Sequence, residues 1–176
     1  MPLSQMTQSQ SLLPEFDQEM ANTRKAIERA PEGRFDWKPH PRSNTLGWLV
    51  GFLAVIPAWT KTTLEDDSLD LMPGGKPLPP MHGPVKTTRE VLDLFDRNVV
   101  EARRILAAAS DETMAQDWAL LMNGREVLRQ PRAVVMRQSV LNHMIHHRGQ
   151  LTVYLRLCDA PVPAIYGPSA DEQSWG

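Results

Sequence analysis

His143 and His147 stand four residues apart in the stretch NHMIHHRGQLTVYLRL, residues 142–157. In a helix that spacing puts both imidazoles on one face, with Cβ atoms about 5–6 Å apart, so both can converge on one divalent cation. A His-Glu-x-x-His metalloprotease needs a glutamate directly after its first histidine, and Met144 occupies that place, which removes the general base. The same pair has a second reading without chemistry, since imidazoles inside a helical protein can be satisfied by carbonyls and neighbouring side chains. His146 points about 100° away from His147 and is expected at the boundary as a hydrogen-bond partner rather than a ligand. Arg148 follows at once. A guanidinium beside the imidazoles would oppose their protonation and favour the neutral form that ligates metals, although an arginine on a polar helix edge fits the spacing equally well.

The helix that carries these histidines is predicted from Pro131, at its first helical position, to about Cys158. Met136, Val140, His143, His147, Leu151, Tyr154 and Cys158 recur at mixed steps of three and four and share one face; Val134, Leu141, Ile145, Thr152 and Leu155 form the row beside it. A partner helix is predicted from about Thr45 to Glu65, capped by Ser43 or Asn44 and kinked at Pro57. Its rows are Leu46, Leu49, Leu53, Ile56 and Trp48, Phe52, Val55, Trp59, and the aromatic residues of the second row suit either a ligand cavity or a packed core. Two further amphipathic helices are predicted, one over 12–30 and one that opens on a Thr87–Glu90 capping box and ends near Ala109. Residues 68–86 are dense in proline and glycine and read as a long irregular crossover between the second and third helices. Asn123-Gly124 between two apolar runs predicts a small β-hairpin before the last helix, because both residues tolerate positive φ. The tail from Asp159, with Pro161, Pro163 and Pro168, is expected to be extended. The fold class expected is all-α: four helices, a long second crossover and one hairpin.

The chain has 176 residues with 19 Lys+Arg against 21 Asp+Glu, a formal charge of −2. One domain over 1–176 is the expectation at this length. A nearly neutral chain gives no compositional support for phosphate neutralisation, so nucleic acid is not an expected partner. Cys158 is the only cysteine, which excludes an intrachain disulfide and a Cys-rich zinc module and suggests a buried, inert thiol. The apolar run from Leu46 to Trp59 is too short to span a bilayer and is broken by Pro57. Residues 1–10 lack the basic patch and apolar core of a secretory signal, and a cytoplasmic location is expected. His40 and His82 lie in proline-rich loops and are expected to be solvated.

HHRGQ within 142–157, SNTLGWLVGFLA at 43–54, the hairpin between them and PVPAIYGPSADE at 161–172 resemble the DinB-like superfamily of metalloenzyme-type proteins. The resemblance runs from about residue 12 to residue 172. It implies a four-helix bundle assembled as a homodimer, with a metal held by three histidines, one from the second helix and two from the fourth. It also implies a small-molecule substrate, since relatives of known activity include transferases and isomerases that use a low-molecular-weight thiol, mycothiol or bacillithiol. Carried over by position, His143 and His147 match the fourth-helix ligands, and the second-helix ligand falls at Phe52. A benzyl side chain cannot donate to a metal. The expected surroundings are Phe52, Trp48, Trp59, Met136, Val140 and Tyr154 lining the pocket, with His146 and Arg148 behind the ligands. Tyr166 and Asp171 of the tail are expected to pack across the end of the bundle.

Two outcomes follow. A zinc or nickel ion at partial occupancy could be held by His143 and His147 with waters, or with a carboxylate from Glu65 or Asp66, and act as a Lewis acid on a bound water or thiol. Alternatively Phe52 fills the volume, and the chain is a metal-free binding or structural homodimer.

Overall fold

Thr7 opens the first helix, α1 (Gln8–Glu28), through a capping box in which its hydroxyl accepts from the Gln10 N–H while the Gln10 side chain accepts from the Thr7 N–H. The helix therefore begins earlier than the predicted Leu12 and carries Pro14 inside it. A computed structural model describes residues 6–173. The N-cap of α2 (Leu46–Val55) is Thr45, which accepts from the Trp48 N–H, rather than Ser43 or Asn44. Pro57 does more than kink this helix. It sits in a tight 3₁₀ turn, Ile56–Ala58, that separates α2 from α3 (Trp59–Glu65). Asn98 of α4 (Thr88–Ala108) donates to the Ala54 carbonyl at this break, at 2.8 Å. Thr87 caps α4 as expected, accepting from the Glu90 N–H.

The last helical segment is not one regular helix. Pro131 ends a strand and precedes α6 (Arg132–Val135) instead of occupying its first position. A π-helical turn, Met136–Asn142, follows, and then the last helix, which we label α7 (His143–Leu157). The wider turn shifts the helical phase by about one residue. Met136 and Val140 consequently do not share a face with the histidines: both are fully enclosed in the core, whereas His143 and His147 are half-buried. In chain order the short helix before the hairpin, Asp111–Ala115, is α5.

The protein is mostly helical with one small sheet. α1 packs on α4 and α7, and α2 packs on the same two helices. Phe16, Leu53, Phe95 and Leu151 meet in the shared core at 1% exposure or less, each contributing about 1.5–3 kcal/mol by burial. Among the described residues no helix is long and apolar enough to cross a membrane.

The sheet corrects the expectation of an irregular crossover. Asp117–Met122 (β2) and Arg125–Pro131 (β3) form the predicted hairpin, with Asn123 at φ 53° and Gly124 at φ 75°. The beginning of the crossover, Ser68–Asp70 (β1), adds a third strand parallel to β2, with Ser68 opposite Ala119. Asp70 then locks the crossover to the hairpin. Its carboxylate accepts the backbone N–H groups of Met72, Asn123 and Gly124 at 2.7–2.9 Å, and the bond from Met72 first among them holds its pKa below the ordinary value.

Arg148 takes no part in the surroundings of the imidazoles. It is buried on the opposite flank of α7, with Nη1 2.6 Å from the Glu19 carboxylate on α1 and a further bond to the Glu19 carbonyl. The Tyr166 hydroxyl donates to Glu19 at 2.8 Å and accepts from Arg148, so the C-terminal tail is fastened to the same ion pair. Burial, and then the bond to Glu19, push the Tyr166 phenol pKa up. Asp171 bonds Arg156 and the Val162 N–H further along the tail. Arg148→Ala leaves the buried Glu19 carboxylate without its cation, and a loss of about 3–5 kcal/mol in urea unfolding is expected. Tyr166→Phe is expected to cost about 1–2 kcal/mol. A midpoint for Arg148→Ala within the range of surface substitutions would show that this pair does not hold α7 in place.

Candidate functional site between α2 and α7

The buried stripe of α7 is Met144, Arg148, Leu151 and Leu155, and His143 and His147 lie on its edge facing α2. Their rings are 4.7 Å apart between centroids and tilted by 33°. Phe52 projects from α2 against both, at 5.6 Å from His143 and 4.9 Å from His147, in edge contacts. Trp59 approaches His143 at 5.2 Å. Trp48 stacks on Phe52 at 4.6 Å with nearly parallel rings, and its edge faces His147 at 6.4 Å. The expected aromatic residues of α2 and α3 and the two imidazoles are therefore in one cluster.

A cleft of about 380 Å³ opens beside the cluster, with Leu49 and Trp48 on one side, His147, Gln150 and Tyr154 on the other, and Asn44 at the rim. The Tyr154 hydroxyl donates to the Asn44 carbonyl at 3.2 Å, and its ring meets Trp37 edge-on at 5.6 Å. His82 is not a free loop histidine. It packs on α2, where a Cβ at Gly51 would lie 2.6 Å from its Nδ1, so only glycine admits this approach. The neighbouring Met81 sulfur accepts from the Trp59 indole at 3.0 Å. His40 is exposed and accepts from the Arg42 N–H.

Burial lowers the pKa of His143, and repulsion from His147 and His146 adds to it. For His147 burial again lowers the pKa, opposed by the bond to Gln150 and reinforced by His146. Both rings are thus held neutral in the pH range where ordinary histidines begin to charge. Cys158 is buried, and burial first of all raises its thiol pKa, as an inert cysteine requires.

Neutral imidazoles suit a metal, but the donor set does not. Among the described residues no group of three His, Cys, Asp or Glu side chains is placed to hold an ion. Glu65 and Asp66 are exposed at the far end of α3, where the Asp66 carbonyl accepts from Arg132 at 2.8 Å. At Phe52, where the resemblance puts a third ligand, an aromatic ring rests on both imidazoles. The residues present do not make a three-histidine centre.

Two residues that matter here carry signals that can be read in the sequence. Gln150 lies three residues after His147 and four after His146, within reach of both on a helix. Its Oε1 is 2.8 Å from His147 Nδ1 and its Nε2 is 3.0 Å from His146 Nε2, so the exposed His146 joins the site through an amide. Glu19 completes the row Leu12, Phe16, Glu19, Thr23, Ala26 on α1, a carboxylate at a core position that demands a buried cation.

A mostly helical chain whose final long helix turns a His-x-x-x-His pair toward the second defines a class of protein. The sequence matches the DinB family over residues 4–175, and the chain belongs to that family. Its fold is similar to that of a DinB-like protein from Bacillus cereus ATCC 10987, at 19% identity and a TM-score of 0.64 over 88% of this chain and 95% of that one. It is also similar to a DinB-like protein from Bacillus subtilis, at 16% identity and a TM-score of 0.65 over 93% of this chain and 99% of that one. No curated protein matches the chain.

The two imidazoles take up protons more readily in the unfolded chain, where histidines titrate near 6.5, than in the folded one. Stability from keeping them neutral is full above that value and is lost as pH falls through it toward the lower folded values. The urea midpoint of the wild type is expected to drop between about pH 7.5 and pH 5.5, and to drop less in the double variant His143→Gln, His147→Gln. Parallel curves for the two proteins would contradict this assignment.

Proposed function

We propose that this DinB-family chain is a small-molecule-binding protein whose site works without the three-histidine metal centre. The observation that carries the reading is the Phe52 ring, seated 4.9–5.6 Å from both imidazoles at the place of the third ligand. A divalent cation left with two protein ligands takes most of its coordination from solvent and binds weakly. The cleft offers a small organic ligand apolar and aromatic surface from Leu49, Trp48 and Tyr154 together with polar groups from Arg42, Asn44, His147 and Gln150. In the same proposal α1, the α2–α3 pair, α4 and the α6–α7 segment are the four members of a four-helix bundle. A second copy of the chain is the proposed partner, supported by Val153 and Leu157, which lie one turn apart on α7 and are each more than half exposed. The location proposed is the cytoplasm, where Cys158 stays reduced.

A second reading is supported by the imidazole pair itself, since neutral rings 4.7 Å apart are able ligands. It makes the protein a zinc- or nickel-dependent enzyme with a low-molecular-weight thiol as cosubstrate.

Metal analysis of untagged protein separates the two readings. The wild type is expected to carry well under one equivalent of zinc or nickel after dialysis against either ion, and Phe52→His is expected to gain close to one, lost again in Phe52→His, His143→Ala. A full equivalent in the wild type that disappears in His143→Ala would establish the metal-dependent reading instead.

A further inference from the structure

The loop before α2 supplies one rim of the cleft and is fastened at several points. Pro39 and Pro41 restrict its backbone. The Ser43 N–H donates to the His40 carbonyl at 2.9 Å, the His40 ring accepts from the Arg42 N–H at 3.1 Å, and Lys38 donates to the Pro41 carbonyl at 3.0 Å. Tyr154 ties the end of the loop to α7 through the Asn44 carbonyl. Arg42 is therefore presented to the cleft from a backbone that is held in place.

The polar groups around the cleft are not equally available. The Tyr154 hydroxyl is engaged with Asn44, and the Gln150 amide bridges His146 and His147. Among the described residues the side chains of Arg42, Ser43 and Asn44 have no hydrogen-bond partner, and Arg42 has no carboxylate in ion-pair reach, unlike Arg132, Arg148 and Arg156. No Asp or Glu lines this cleft, and Asp36 belongs to a separate one. A guanidinium without a counter-ion beside apolar surface is complementary to an organic anion: the fork takes a carboxylate through two parallel N–H bonds, and the apolar surface takes the rest of the molecule. Arg42 is the one arginine or lysine of the lining, which suits a single negative charge better than the double charge of a phosphate monoester. A volume of about 380 Å³ is near the lower end of ligand sites, about 300–1,000 Å³, and limits the occupant to one ring or a short branched chain.

We propose that this cleft binds a small organic monocarboxylate, with Arg42 pairing its carboxylate and Leu49, Trp48 and Tyr154 covering its apolar body. The proposal names a ligand class for the metal-free small-molecule site and rests on that reading.

The test uses untagged protein at about pH 8, where ordinary imidazoles are neutral, with and without EDTA. Benzoate and benzamide, alike in shape and different in charge, are titrated against tryptophan fluorescence and the Trp48 indole N–H signal. Phenyl phosphate and acetate are run beside them, the first for its second charge and the other for its missing ring. Benzoate is expected to bind roughly 5- to 10-fold more tightly than benzamide, and more tightly than phenyl phosphate or acetate. Raising the salt concentration is expected to shrink its advantage over benzamide. In Arg42→Gln the advantage is expected to fall within about 2-fold, and Arg42→Lys is expected to keep part of it. Arg42 is exposed, so both variants are expected to unfold at the wild-type urea midpoint. Equal binding of benzoate and benzamide, tighter binding of phenyl phosphate, a Trp48 signal unmoved by benzoate, or an advantage kept in Arg42→Gln would overturn this inference and leave the metal-free reading standing. Benzoate binding that EDTA abolishes would put the carboxylate on an ion and overturn both.

Discussion

The buried ion pair between Arg148 and Glu19 sets the rotation of α7 about its axis. Among the described residues neither charge has another cationic or anionic partner, and both are almost wholly removed from water. Turning α7 so that Arg148 left Glu19 would strand two charges in a low-dielectric interior, at a cost of several kcal/mol. Adjacent residues of a helix point about 100° apart, so fixing Arg148 toward α1 fixes His147 toward α2. Tyr166 extends the constraint to the C-terminal tail. The direction in which the imidazoles face is in this way decided on the opposite flank of the helix.

The π turn at Met136–Asn142 works on the same helix from its other end. A regular helix through these residues would run Met136, Val140, His143 and His147 down one face and sink the histidines into the core. The wider turn leaves Met136 and Val140 inside while the histidines emerge at the edge, half-buried beside an open cleft. Single π turns concentrate at functional sites because they re-aim side chains without ending the helix.

On α2 the decisive side chain is Phe52. It stacks with Trp48, meets both imidazoles edge-on and touches Trp59, so one residue joins the aromatic wall to the histidine pair. Such edge and stacked contacts are each worth about 0.5–1.5 kcal/mol beyond burial. A histidine in its place would exchange part of that packing for a third donor nitrogen. Phe52 therefore gives the two imidazoles packing and no donor atom.

The residue order by itself determined the helical segments, the apolar rows of all but the last, the Asn123-Gly124 hairpin and the presence of two histidines four apart. These are local: they follow from periodicity, capping and turn chemistry over a few residues. Only the tertiary structure decided that Pro57 splits a helix in two, that Ser68–Asp70 becomes a strand, and that Arg148 faces Glu19 instead of the imidazoles. Each depends on a partner far along the chain: Asn98 for Ala54 at the break, Ala119 for Ser68, and Glu19 for Arg148. A periodic pattern states which side chains share a face, but the energy of pairing a buried charge or a strand edge with its distant complement settles which way that face turns.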